Sequence, residues 1–253
     1  MKNLKKLQQK YLNLIQGKGV PVGVKMLKSK KDIPDSIASP KGNMALCQVL
    51  KEVTVYKKKR AVSFENMGGC VIGSRVLGFE KVSDNLKERW VERFGYKEDI
   101  FDELIEKTEK FPLEKYEAAV FAPLREFQDL EIKPDAVVMT VNSSQAYLLT
   151  MGVFDKTGQK TSPKINGHAA CEVIVPVVEN NKPWLTVPCG GARSIAGSQD
   201  DELWIGLTLK DLESALSRIE ETGLGYPPPV NQMLVSEANP KHPLTGLIER
   251  QKD

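Results

Sequence analysis

At 253 residues, with 41% hydrophobic and 27% charged side chains, the chain has the length and balance of a folded globular protein with a substantial core. A net charge of +3 is too small to imply a nucleic-acid partner. No apolar run approaches the roughly 20 residues of a membrane helix, so the reading is no nucleic acid and no membrane. The opening Met1-Lys2-Asn3-Leu4-Lys5-Lys6 is basic but has no continuous apolar stretch behind it. It reads as neither signal peptide nor anchor, and a cytoplasmic chain with reduced thiols is expected.

In chain order, residues 3–16 predict a helix with Leu4, Leu7, Tyr11, Leu14 and Ile15 on one face, stopped by Gly17 and Gly19. Val20 to Leu27 predicts a strand with Lys25 embedded in it. Residues 43–56 predict a second helix with Asn43 as N-cap. The run Lys57-Lys58-Lys59-Arg60 reads as a solvated turn before a strand at Ala61 to Phe64. A glycine-rich turn follows, Asn66-Met67-Gly68-Gly69-Cys70-Val71-Ile72-Gly73. Helices are expected at 83–94 and 99–110, with Pro112 ending the second.

Ala118 to Ala122 and Asp135 to Val141 predict strands. The second runs into Asn142-Ser143-Ser144, caps for a helix over 143–152. Residues 167–177 begin with small residues that suit a helix and end in the β-branched Val173-Ile174-Val175, so both readings stand. Trp184 to Val187 predicts a strand leading to Cys189-Gly190-Gly191-Ala192-Arg193. Glu202 to Leu207 predicts another, and Thr208 caps a helix with Leu209, Leu212, Leu216 and Ile219 on one face, Asp211 at the capping-box position and Gly223 at its end. Trp90, Trp184 and Trp204 read as core. Tyr226-Pro227-Pro228-Pro229 opens an extended C-terminal arm, 226–253. The expected architecture is one α+β (or α/β) domain over 1–225 with about six strands and an unreadable strand order. The amphipathic start and the proline-rich arm make a homo-oligomer an expectation too.

The chemistry rests on Cys47, Cys70, Cys171 and Cys189. Four thiolates match the ligand count of zinc or of an iron–sulfur cluster. The separations of 23, 101 and 18 residues contain no close pair of the kind a zinc ribbon or ferredoxin loop uses. Cysteine also packs as a small apolar group, which suits Cys47 beside Leu50, and Cys171. Cys70 and Cys189 lie against paired glycines, where backbone N–H groups can approach a sulfur. Gly69, Gly190, Gly191 and Arg193 are therefore the candidate cofactor-binding residues, Arg193 as donor to an anion. His168, three residues before Cys171, is a candidate base for a metal-free thiol enzyme using Cys171 or Cys189. A third reading is a binding module for a small anion or cofactor, with the cysteines buried and inert. Neither glycine loop fits a phosphate-binding or dinucleotide fingerprint.

Several of these segments together resemble an uncharacterised family, domain of unknown function 169. They are Pro21-Val22-Gly23-Val24-Lys25, Cys47, Gly69-Cys70 with Leu77-Gly78, Cys171, Pro183 to Pro188, Cys189-Gly190-Gly191-Ala192-Arg193 and Glu202-Leu203. The resemblance spans most of residues 10–223. The family often shows Gly-Asp-Arg where this chain has Gly191-Ala192-Arg193, so an acidic role there is not carried over. The family name supplies no reaction. Its anaerobic setting implies an oxygen-sensitive [4Fe–4S] cluster on Cys47, Cys70, Cys171 and Cys189, with zinc or no metal as alternatives. A redox partner or a small anionic ligand would accompany it.

Overall fold

The computed structural model describes residues 3–80, 87, 88, 91, 92, 95, 97–161, 165 and 167–226. The expected helix at 83–94, Trp90 and the arm beyond Tyr226 fall wholly or largely outside them. Six strands form one sheet among the described residues: β1 (Val22–Leu27), β2 (Arg60–Ser63), β3 (Ala118–Pro123), β4 (Ala136–Val141), β5 (Trp184–Thr186) and β6 (Leu203–Leu207). Their order is β2-β3-β1-β4-β6-β5. Every pairing is antiparallel, including Val24 opposite Phe121 and Met139 opposite Ile205. The fold is α+β.

Strand alternation divides the core in two. Val24, Phe121, Val138 and Trp204 face one side. Val120, Val137, Met139 and Ile205 face the other. The second side is covered by α1 (Leu4–Leu14), α5 (Glu126–Asp129), α6 (Ser143–Thr157) and α9 (Leu209–Thr222). The first is covered by α2 (Leu46–Tyr56), α3 (Val71–Val76), a 3-10 helix (Ala170–Ile174), α7 (Val175–Asn180) and α8 (Gly190–Ala196). The remaining helix, α4 (Glu98–Lys107), anchors through buried Phe101.

Local chemistry explains most boundaries. Asn142 accepts from the N–H of Gln145, whose side chain returns to the Asn142 N–H, closing a capping box on α6. Thr208 accepts from the N–H of Asp211 and donates to its carboxylate. Gly158 and Gly223 close α6 and α9 in the left-handed conformation.

Three expectations are corrected, and the open reading of residues 167–177 is resolved. Helix α2 starts at Leu46 with Ala45 as N-cap, because the Gln48 side chain binds the Ala45 N–H at 2.8 Å while Asn43 packs over Gly68. Val173-Ile174-Val175 is helical despite its branching. All three side chains are buried, and Pro176 pre-sets the first turn of α7. Both glycine-rich turns lead into short helices, α3 and α8. Helix α4 stops at Lys107, before Pro112, where the Thr108 hydroxyl bonds back to the Leu104 carbonyl. Trp184 and Trp204 are core, as expected. Lys25 neither faces freely outward nor stays unpaired: it is half-buried and donates to Asp135 at 2.8 Å.

Tyr11 is fully buried and its hydroxyl lies against Gly17, where any added methyl group would overlap it. That hydroxyl has no hydrogen-bond partner. Burial raises its pKa. A buried donor without a partner is destabilising. Replacing Tyr11 by Phe should therefore leave stability unchanged or raise it by about 1 kcal/mol, read as the urea midpoint. A loss above about 2 kcal/mol would mean that the hydroxyl is bonded in solution.

Candidate functional site: four thiols at four helix starts

All four cysteines lie on one side of the sheet, Cys47 and Cys171 inside one apolar cluster and Cys70 and Cys189 packed against it. Each stands at the beginning of a helix. Cys47 is the second residue of α2, Cys70 is the N-cap of α3, Cys171 is the second residue of the 3-10 helix, and Cys189 is the N-cap of α8. The first backbone N–H groups of a helix have no partner within it. At Cys189 the sulfur takes one of them up, accepting from the Ala192 N–H at 3.5 Å.

Close backbone packing assembles the group. A Cβ on Gly69 would lie 2.5 Å from the Ala45 nitrogen and the Met44 carbonyl carbon. The Gly69 N–H donates to the Met44 carbonyl at 3.2 Å, and the Met44 N–H to the Asn66 carbonyl at 2.9 Å. This two-bond strap holds the Cys70 turn against the start of α2, and Gly73 rests on Leu46 beside it. On the sheet, a Cβ on Gly206 would meet the Val173 carbonyl oxygen at 2.5 Å. The bare backbone of β6 therefore lets the 3-10 helix carrying Cys171 sit directly on the strands. Gly190 differs: nothing lies within 4 Å of where its Cβ would be. The two glycine pairs look alike in sequence, but one permits contact and the other leaves open space beside Cys189.

The thiols are free, with Cys47 and Cys171 buried and Cys70 and Cys189 partly so. Burial pushes the Cys47 thiol up to about 12, and the charges that Cys70 and Cys189 would carry add to it. Burial also raises Cys70, with Cys189 and then Glu80 opposing its ionisation. Cys171 is raised well above the ordinary value, first by burial, then by Cys70, Cys189, Cys47 and the adjacent Glu172. All six pairings of the four sulfurs are thus within electrostatic reach of one another. The fold brings together the four residues that the sequence scatters. Among the described residues, no three or more His, Cys, Asp and Glu side chains form a group that could hold a metal ion as they stand.

The other sequence candidates fall in different places. The Arg193 guanidinium is engaged, donating to the Pro188 carbonyl at 3.2 Å and to Asp200 at 2.8 Å. His168 is exposed while Cys171 is buried. Two buried acids near the thiol layer had no sequence signal beyond their type. Glu172 accepts from the Glu109 N–H at 3.2 Å. Glu202, 3% exposed, binds Lys51 of α2 at 3.0 Å. Within the run at 57–60, Lys58 and Arg60 both pair with Glu52 at 2.6 Å.

Two outcomes test this construction. Gly69→Ala should lower stability by about 1–3 kcal/mol through overpacking, whereas Gly190→Ala should be neutral or slightly stabilising. Equal melting temperatures for the two variants would contradict the asymmetry. The raised thiols also set a pH dependence. Unfolded thiols ionise near the ordinary value of 9 while Cys47 holds its proton to about 12. The native state therefore binds more protons in that window, and stability falls as pH rises through it. Urea titrations of the reduced, metal-free protein should show stability flat from about pH 7 to 9 and dropping above it. Stability constant to pH 11 would mean that the thiols are not buried.

Comparison with known proteins gives a family and no activity. A profile described as "Uncharacterised ArCR", the domain of unknown function 169, matches residues 12–218. An uncharacterised protein of Methanocaldococcus jannaschii is 24% identical over 205 residues, covering 79% of this chain and 86% of its own length. No solved structure matches. No helix among the described residues is long and apolar enough to cross a membrane. With most of its length matched, the chain belongs to the domain of unknown function 169 family.

Proposed function

We propose that Cys47, Cys70, Cys171 and Cys189 hold a [4Fe–4S] cluster in a cytoplasmic protein with a redox, sensing or substrate-activating role. The observation that carries this reading is the convergence of four cysteines, each at a helix start, on one apolar cluster, with Cys47 and Cys171 inside it and Cys70 and Cys189 packed against it. Burial and mutual repulsion keep metal-free thiols protonated. A bound cation centre would reverse that balance by neutralising them, so loading would release protons. Thiolate is a soft donor suited to iron–sulfur or zinc.

A single zinc needs its sulfurs about 3.8 Å apart, from metal–sulfur bonds of about 2.3 Å, whereas a cubane cluster is larger and takes its four cysteine sulfurs further apart. When bound, such a cluster supplies one-electron redox chemistry. The chain would contribute a helix-start N–H group to the Cys189 sulfur, an apolar wall from the sheet face, and an opening beside Gly190 for a redox partner. The metal-free thiol enzyme has less support: Cys171 is held protonated by burial, and a nucleophile must be a thiolate.

Anaerobic reconstitution with iron and sulfide should give about four of each per chain, with visible charge-transfer absorption. Replacing Cys70 or Cys189 by Ser should at least halve the bound iron. Colourless protein after reconstitution, or full iron retention when all four cysteines are serine, would overturn the reading. Stoichiometric zinc in the purified protein would replace it by the structural-metal alternative.

A further inference from the structure

A second candidate site lies away from the thiols. At one end of the sheet, the last residues of β1, the approach to β4 and the start of α9 surround a cleft of about 1,010 Å³. That is at the upper end of the volume that small-molecule sites occupy. None of the four cysteines lines it. On the approach to β4, Asp135 accepts from the Lys25 ammonium at 2.8 Å and from the Met26 N–H at 2.9 Å, so both its oxygens are engaged. Asp211 is buried and accepts from the Thr208 hydroxyl at 2.7 Å. Tyr116 supplies an aromatic wall, fixed edge-on by Phe111 with ring centroids 5.2 Å apart.

The remaining charge is unbalanced. Lys28, Lys133 and Lys210 line the cleft and are exposed. Among the described residues, none of the three has a carboxylate within ion-pair distance. Elsewhere on this surface lysines find such partners: Lys10 with Glu220, Lys115 with Glu179, Lys156 with Glu221. Of the lining carboxylates, Asp135 is paired with Lys25, while Asp32 and Asp211 have no cation paired with them. Four lining ammonium groups against three carboxylates leave one net positive charge, and the three unpaired lysines stand at the surface of a concavity, where low-dielectric walls focus the field on an anion.

We propose that this cleft binds a small molecule bearing a multivalent oxyanion, either phosphate or clustered carboxylate, through Lys28, Lys133 and Lys210. The Lys25–Asp135 pair and the Tyr116 ring would contact the rest of the molecule. This site stands independently of the metal reading, since it shares no residue with the thiol layer.

The test is calorimetric titration of the full chain with pyrophosphate and, separately, with citrate. Saturable binding of at least one probe, one per chain, is expected, weakening as salt is raised. Replacing Lys28, Lys133 and Lys210 together by Gln should weaken it by about tenfold or more. Lys5→Gln, on the far helix α1, should leave it within about twofold, and the three single variants guard against an unfolded triple. Preference for pyrophosphate assigns the site to a phosphorylated ligand, and preference for citrate to a polycarboxylate. Absence of saturable binding by both probes, or binding unchanged in the triple variant, would overturn the proposal.

Discussion

Burial of both faces of a single antiparallel sheet is the constraint on which the rest of the molecule depends. Strand residues alternate between two apolar clusters, so neither face can be left to solvent. One face is closed by longer helices, including α6 and α9. The other is closed by α2 and a patchwork of shorter helices, some of which pack on α2 and the 3-10 helix rather than on the strands. That difference decides where chemistry can sit. A long helix presents a continuous side-chain face, whereas several short ones bring several helix starts, each carrying a cysteine, to one region.

The thiol layer is a compromise within that patchwork. Neutral cysteines pack there as small apolar groups, and nothing in the packing penalises them. Ionising any one is opposed first by desolvation and then by its neighbours. The layer therefore packs as neutral thiols. One helix-start N–H, that of Ala192, reaches the Cys189 sulfur. At Cys171 burial is the chief barrier to ionisation, followed by the other three thiols and Glu172. The anion-type cleft at the end of the sheet follows the opposite rule. Its uncompensated charges sit at the surface, where hydration makes them tolerable until a ligand replaces water.

Much of the element list was legible because it rests on local chemistry. Asn142, Thr208, Gly158 and Gly223 announce α6 and α9 through caps that act within a few residues. The heptad-like spacing of Leu209, Leu212, Leu216 and Ile219 did the same for the buried face of α9. The short helices α3 and α8 were read as turns because glycine pairs carry no helical signal of their own. The Val173–Val175 run was ambiguous because branching favours strands while burial on all sides, under Gly206, is a tertiary matter.

By itself, the sequence determined that this is an α+β chain with four cysteines, two of them beside glycine pairs, and it marked most helix ends and strand cores. Those are properties of neighbouring residues and of periodicity. Only the tertiary structure decided that Cys47, Cys70, Cys171 and Cys189 share one layer. Their convergence rests on backbone contacts across long separations, Gly69 on Ala45 and Gly206 on Val173, and no local spacing encodes such contacts.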